Sequence, residues 1–178
     1  MSRIEPLSPP YDADVEEALR KWMPPGVPQE PLRLFRTLEH HPQLASRMRV
    51  LGAGLLGHGA LPALDRELVI ARVCARCGCE YEWGVHAAAY AEHVGLTQIE
   101  ATVTNDATWQ PKHQALIATV DELHDTAHLS DRTWQALTEH YDTQQQLEIL
   151  VLAGWYHAIS YVANGLLIES EPWATPYP

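Results

Sequence analysis

The chain reads as a single all-α domain. Apolar residues recur at helical spacing through most of its length, helix start and stop signals punctuate those stretches, and nowhere does strict apolar–polar alternation survive four residues against a helical alternative. With 178 residues and 46% hydrophobic content, it can bury one sizeable core. A formal net charge of −11 excludes a nucleic-acid backbone and an anionic membrane as partners, because both need a basic surface. The three cysteines fall within six positions, an odd and clustered set that cannot staple a secreted fold. No long apolar run follows a basic start, so no signal peptide is expected and the cytoplasm is the expected compartment.

Residues 1–30 read as an N-terminal arm and helix. Asp12 is placed to cap a helix carrying Val15, Ala18, Leu19, Trp22 and Met23 on one face, and Pro24-Pro25-Gly26 ends it. The main domain spans 31–171. A short helix covers Leu32 to His40, and Pro42 suits the first turn of the next, whose stripe is Leu44, Met48, Leu51 and Leu55. From Leu64 to Ala75 the pattern is apolar on most sides, which marks a central helix. Gly78 turns the chain into a second central helix that Gly95 closes.

Thr97-Gln-Ile-Glu100 has the form of a capping box opening a short helix. Another starts around Thr108–Pro111 and runs to about Thr126, with Leu116, Ile117, Val120 and Leu123 inward. Its Asp121, His124, Asp125 and His128 share a face that could bind a metal but carries no open-site motif such as His-Glu-x-x-His, and it reads as solvated or subunit-contacting. Ser130 caps a helix with Trp134, Leu137 and Tyr141, and Asp142-Thr-Gln-Gln145 caps the last one, which reaches about Ile168. Glu148, His157, Ser160 and Asn164 interrupt that apolar helix and no Lys or Arg follows Arg132, so it reads as core and not as a membrane span. Residues 172–178 form a non-helical tail whose aromatics are placed to cover the chain's own groove or a neighbouring subunit.

Chemistry gathers between positions 66 and 86. Thiols (Cys74, Cys77, Cys79), carboxylates (Glu67, Glu80, Glu82) and an imidazole (His86) meet there. Cys79, Glu82 and His86 stand at i, i+3 and i+7 on one helical face, and Glu80 points away. About 10.5 Å of rise separates Cys79 from His86, so Glu82 is the natural relay between them. Glu67 has Ile70, Ala71 and Cys74 along its own face, which makes it a buried carboxylate. It is either a proton-transfer group or the ion-pair partner of a nearby arginine. Cys79 falls at the start of its helix, where the dipole is expected to lower a thiol pKa. His157 and Asn164 are read either as a hydrogen-bonded core pair or as a border of the cavity around Glu67 and His86.

Glu67, Cys79 and His86, with the phrase Cys79-Glu-Tyr-Glu-Trp-Gly-Val-His86, resemble the carboxymuconolactone decarboxylase and AhpD-type alkylhydroperoxidase superfamily. The resemblance runs from about Pro31 to Glu171. It implies an AhpD-like helical bundle assembled as a homo-oligomer, acting on a small-molecule substrate. Where the peroxidase branch has a second cysteine this chain has Glu82, so the dithiol cycle of that branch is not reproduced in register.

The decarboxylase branch implies cofactor-independent acid/base chemistry on a small carboxylated or lactone-like compound. Glu67 would carry the proton, His86 would act as partner acid or base, and Cys79 and Tyr81 would shape the pocket with Cys77 and Trp83 nearby. The alternatives are a thiol peroxidase using Cys79 with a Glu67/His86 relay and Cys74 or Cys77 as resolving thiol, and a non-catalytic helical oligomer. No metal is expected, since three cysteines cannot make a four-thiolate site.

Overall fold

The computed structural model describes residues 1–23, 29–104 and 108–178, apart from the side chain at position 91. Among them it has nine helices and no strand: α1 (Ala13–Arg20), α2 (Arg33–Leu38), α3 (Pro42–Gly57), α4 (Ala63–Arg76), α5 (Glu80–Val94), α6 (Leu96–Thr104), α7 (Pro111–Thr126), α8 (Asp131–Thr138) and α9 (Thr143–Leu166). The proline–glycine stop expected at 24–26 lies outside the described residues.

α4 is the central element. It packs against α5, α6, α7 and α9, and Leu68, Val69, Ile70, Ala71, Val73 and Cys74 are all buried. A helix apolar on nearly every side can satisfy itself only in that position. Its charges are matched locally. Arg72 is buried, donates from Nε and NH2 to the two Asp121 carboxylate oxygens at 2.7 and 2.8 Å, and donates from NH1 to the Thr102 carbonyl at 2.7 Å. Arg76 pairs with Asp125. The acidic side of α7, expected to be solvated or to meet a subunit, is therefore ion-paired to α4. Two arginines spaced one turn apart draw it inward.

Several cap signals hold. Ser130 accepts from the Thr133 N–H, and Asp142 with Gln145 forms a reciprocal capping box. Asp12 occupies its cap position without a side-chain bond. The box expected at Thr97 does not start its helix, because Gly95 turns the chain sharply enough for α6 to begin at Leu96. In α3 the expected stripe is rotated: Leu44 and Leu51 are exposed, while Ala45, Gly52 and Leu55 face inward. Gly52 is the reason. A Cβ there would lie 3.3 Å from the Trp155 ring, so the absent side chain lets the indole of α9 seat against α3. Small residues carry almost no hydropathy signal, and the larger leucines dominated the pattern.

α9 is long and apolar enough to cross a membrane by length and composition. Here it lies in the bundle, with Ile149, Leu152, Ala153, Tyr156 and Ile159 buried against α4 and its neighbours. Glu148 on its first turns accepts from the Ala60 and Leu61 N–H groups and ties down the loop before α4. The C-terminal segment folds back along α5. Thr175 N–H donates to the Gly84 carbonyl at 3.1 Å, and a Cβ on Gly84 would collide with the Thr175 carbonyl. Only glycine leaves room for that backbone approach.

Candidate active site

The turn between α4 and α5 builds the site. Gly78 has φ +59°, a left-handed conformation open to glycine, and the Cys79 N–H closes back on the Cys74 carbonyl at 2.8 Å. α5 is thereby folded against α4. Glu67 on α4 and His86 on α5 meet in the interior, with His86 Nδ1 2.7 Å from Glu67 Oε2. Glu67 is 1% exposed, and its other oxygen accepts from Arg66 Nε at 3.0 Å. Glu67 is thus an arginine partner, as one of the two readings expected, and an imidazole partner as well.

The far nitrogen of His86 faces two further groups. Tyr156 Oη lies 3.0 Å from Nε2, and Glu82 Oε1 lies 3.6 Å away. Tyr90 stacks beside the imidazole at 5.3 Å, with the Arg66 guanidinium over its ring. Two carboxylates thus face one arginine and one histidine in a dry setting, and charge balance favours the imidazolium. Burial alone pulls the His86 pKa down, but the charge and hydrogen bond of Glu67, followed by those of Glu82, raise it from 6.5 to about 9. Tyr156 is driven well above the ordinary phenol value by burial and by the same two carboxylates. It stays a neutral hydroxyl.

Glu82, His86 and Tyr156 border a cavity of about 500 Å³. Trp22, Phe35, Trp155 and Trp173 give it apolar, aromatic walls, and Arg49 contributes a cation at its edge. Arg49 makes no ion pair among the described residues, and Glu82 Oε2 is buried there with no hydrogen-bond partner. An aromatic slot with a few convergent polar groups is the usual form of a small-molecule site.

The remaining sequence candidates lie elsewhere. Cys79 sits at the start of α5, fully buried, and is not among the residues bordering the cavity. Its thiol is pushed up to about 11, first by burial and then by the Glu82 charge, against the pull of the Glu82 N–H and Ser160. The lowered pKa expected at a helix start does not occur, because desolvation outweighs the dipole.

Tyr81 Oη donates to Glu171 at 2.7 Å and accepts from the Leu34 N–H, fastening α2 to the C-terminal segment and not shaping the cavity. Trp83 donates to Thr102 and packs edge-on to Tyr177. His157 and Asn164 neither pair with each other nor reach the cavity. His157 stacks on His124 with centroids 5.1 Å apart, and Asn164 is exposed and donates to the Cys77 carbonyl at 2.9 Å. Burial, then the neighbouring His124, lowers the His157 pKa. Sequence reasoning missed Tyr156 and Arg49. Tyr156 stood one position from the chosen His157, and on a helix one position is a rotation of roughly 100°.

Residues 42–110 match the sequence profile of the Carboxymuconolactone decarboxylase family. Over that segment the chain is similar to the family, and its whole fold is similar to AhpD-like solved structures. No curated protein matches it. Its fold is similar to that of an uncharacterized peroxidase-related protein from Silicibacter sp. TM1040, with TM-score 0.83, 14% identity, 97% of this chain and 93% of that one covered. It is also similar to the debrominase Bmp8, solved as a cysteine-to-alanine variant with 2,3,4-tribromopyrrole, with TM-score 0.79, 15% identity and 95% and 91% covered. A putative AhpD antioxidant defence protein from Agrobacterium tumefaciens shares 16% identity at TM-score 0.69, with 75% and 94% covered. At these identities the likeness is one of fold.

Proposed function

We propose that this protein is a carboxymuconolactone decarboxylase-family acid/base enzyme acting on a small, largely apolar, carboxylated or lactone-like compound. The observation that carries the reading is the His86 imidazole, held at Nδ1 by buried Glu67 and presenting Nε2 to the cavity beside Tyr156 and Glu82. With its pKa raised to about 9, His86 holds a proton at neutral pH and acts as a general acid. When a carbon–carboxylate bond breaks, carbon dioxide leaves and the electron pair stays on carbon. His86 supplies the proton that quenches it and is reprotonated from solvent. Glu67 keeps the ring oriented and charged, and Tyr156 holds the Nε2 side in place. Glu82 adds its charge on the Nε2 side and helps hold the proton there.

Arg49 supports the carboxylated substrate class, since a guanidinium at the cavity edge offers a fork for a carboxylate. The aromatic walls suit a planar body, in keeping with a structural neighbour that binds a brominated pyrrole. The peroxidase alternative is weaker for a specific reason: the Cys79 thiol is buried, protonated and away from the cavity.

The test is to screen unsaturated carboxylates and lactones for carbon dioxide release with wild type, His86→Gln and Cys79→Ser. Turnover in wild type and Cys79→Ser, reduced about 10²–10⁴-fold in His86→Gln, is expected. Absence of any such turnover, together with a Cys79 sulfenic acid in mass spectra after mild peroxide, overturns the reading in favour of thiol chemistry.

A further inference from the structure

A second cluster lies on another face of α4, and no residue of it borders the cavity. Cys77 at the C-terminal cap of α4, His124 in the last turn of α7 and His157 in the middle of α9 bring a thiol and two imidazoles together. Their ligand atoms all lie within 4.8 Å of one another, with Cys77 Sγ 3.9 Å from His124 Nδ1. We propose that Cys77, His124 and His157 form a three-ligand binding site for a zinc-class divalent cation, with the fourth position open to water.

Donor type and burial fit this assignment. One thiolate and two imidazoles form a mixed sulfur–nitrogen set that suits a borderline-soft ion, and three protein ligands plus water complete a tetrahedron. All three residues are partly buried, so the ion would be shielded without being sealed. A tetrahedral zinc places sulfur and nitrogen ligands about 3.5 Å apart, so the side chains need to close by at most about 1.5 Å. The two imidazoles lie nearly parallel, at an interplanar angle of 7° with centroids 5.1 Å apart. Among the described residues the His157 ring makes no hydrogen bond, and the one ring partner of His124 is the Cys77 sulfur. Asn164 fixes the ligand backbone by donating to the Cys77 carbonyl, and Tyr161 packs against the His157 ring. Binding would convert the Cys77 thiol to a metal thiolate and release one proton to solvent. The ion would then pin the end of α4 to α7 and α9.

The experiment uses untagged, reduced, chelator-treated full chain. Co2+ is added as a spectroscopic probe, and Zn2+ affinity is measured by competition with a chromophoric chelator. The expected result is one Co2+ per chain with a sulfur-to-cobalt charge-transfer band that Zn2+ displaces. Cys77→Ser should abolish the band. Cys77→Ser, His124→Gln and His157→Gln should each weaken Zn2+ binding by about 100-fold, whereas His58→Gln, on an exposed loop, should leave it unchanged. Circular dichroism on each variant separates loss of binding from loss of fold, and any variant that unfolds is replaced by Cys77→Ala or His157→Asn. Zn2+ should also raise the wild-type melting temperature and leave those of the ligand variants unmoved. Absence of the thiolate band, or Zn2+ affinity equal in wild type and all three folded ligand variants, would overturn the assignment.

Discussion

His86 stands between two carboxylates and a phenol, and that placement dictates its titration. Because its pKa is raised to about 9, kcat/KM should hold through neutrality and fall as pH climbs past about 9, measured as a pH–rate profile. Glu67→Gln removes the main charge holding the proton, so the alkaline limb should move down toward 6.5. The same shift bears on stability. A group raised in the folded state contributes fully below 6.5, and that contribution is lost as pH rises through about 9. Thermal melts of wild type should therefore decline across that window, and those of Glu67→Gln should decline less. Arg49→Gln should raise KM by about tenfold or more for a carboxylated substrate with kcat nearly kept, the signature of lost ground-state binding. Glu82 and His86 were legible in the sequence because helical spacing puts them on one face, and Glu67 because Ile70, Ala71 and Cys74 along its own face mark it as buried. Arg49 was not, since nothing in α3 marks which arginine will rim a cavity that three other helices also line.

Between α5 and the C-terminal segment the decisive residue has no side chain. Gly84→Ala would push a methyl group into the Thr175 carbonyl, so the segment must lift and give up the Thr175–Gly84 bond and the Tyr177 contacts with Trp83 and the Cys74 carbonyl. Overpacking of this kind costs about 1–3 kcal/mol, to be read by urea denaturation. Trp173 borders the cavity in the same segment, so ligand affinity should drop in parallel. Gly84 was not singled out in the sequence. The close backbone approach it permits comes from residues ninety positions away, and no local pattern records that. Helix starts fared similarly. Where a side chain caps its own helix, as at Ser130 and Asp142, the signal was sufficient; where a preceding turn sets the entry, as at Leu96, it was not.

Across the whole molecule α4 is the shared wall of α5, α6, α7 and α9, and its buried Arg72 ties it to α6 and α7. Asp121→Ala leaves that guanidinium with only the Thr102 carbonyl. The expected loss lies toward the lower end of roughly 3–5 kcal/mol, because Asp121 itself remains partly exposed. Equilibrium unfolding checks it. The all-helical architecture and the centrality of α4 followed directly from apolar density, which has a single physical solution in a bundle. Which faces would line the cavity did not, because that depends on how α3, α5 and α9 rotate against one another. One property of the chamber offers a practical handle. Three of the six indoles, Trp22, Trp155 and Trp173, look into it. Intrinsic ultraviolet emission should therefore change in colour or intensity whenever a compound enters, and a library can be sorted by light alone before any reaction has been named.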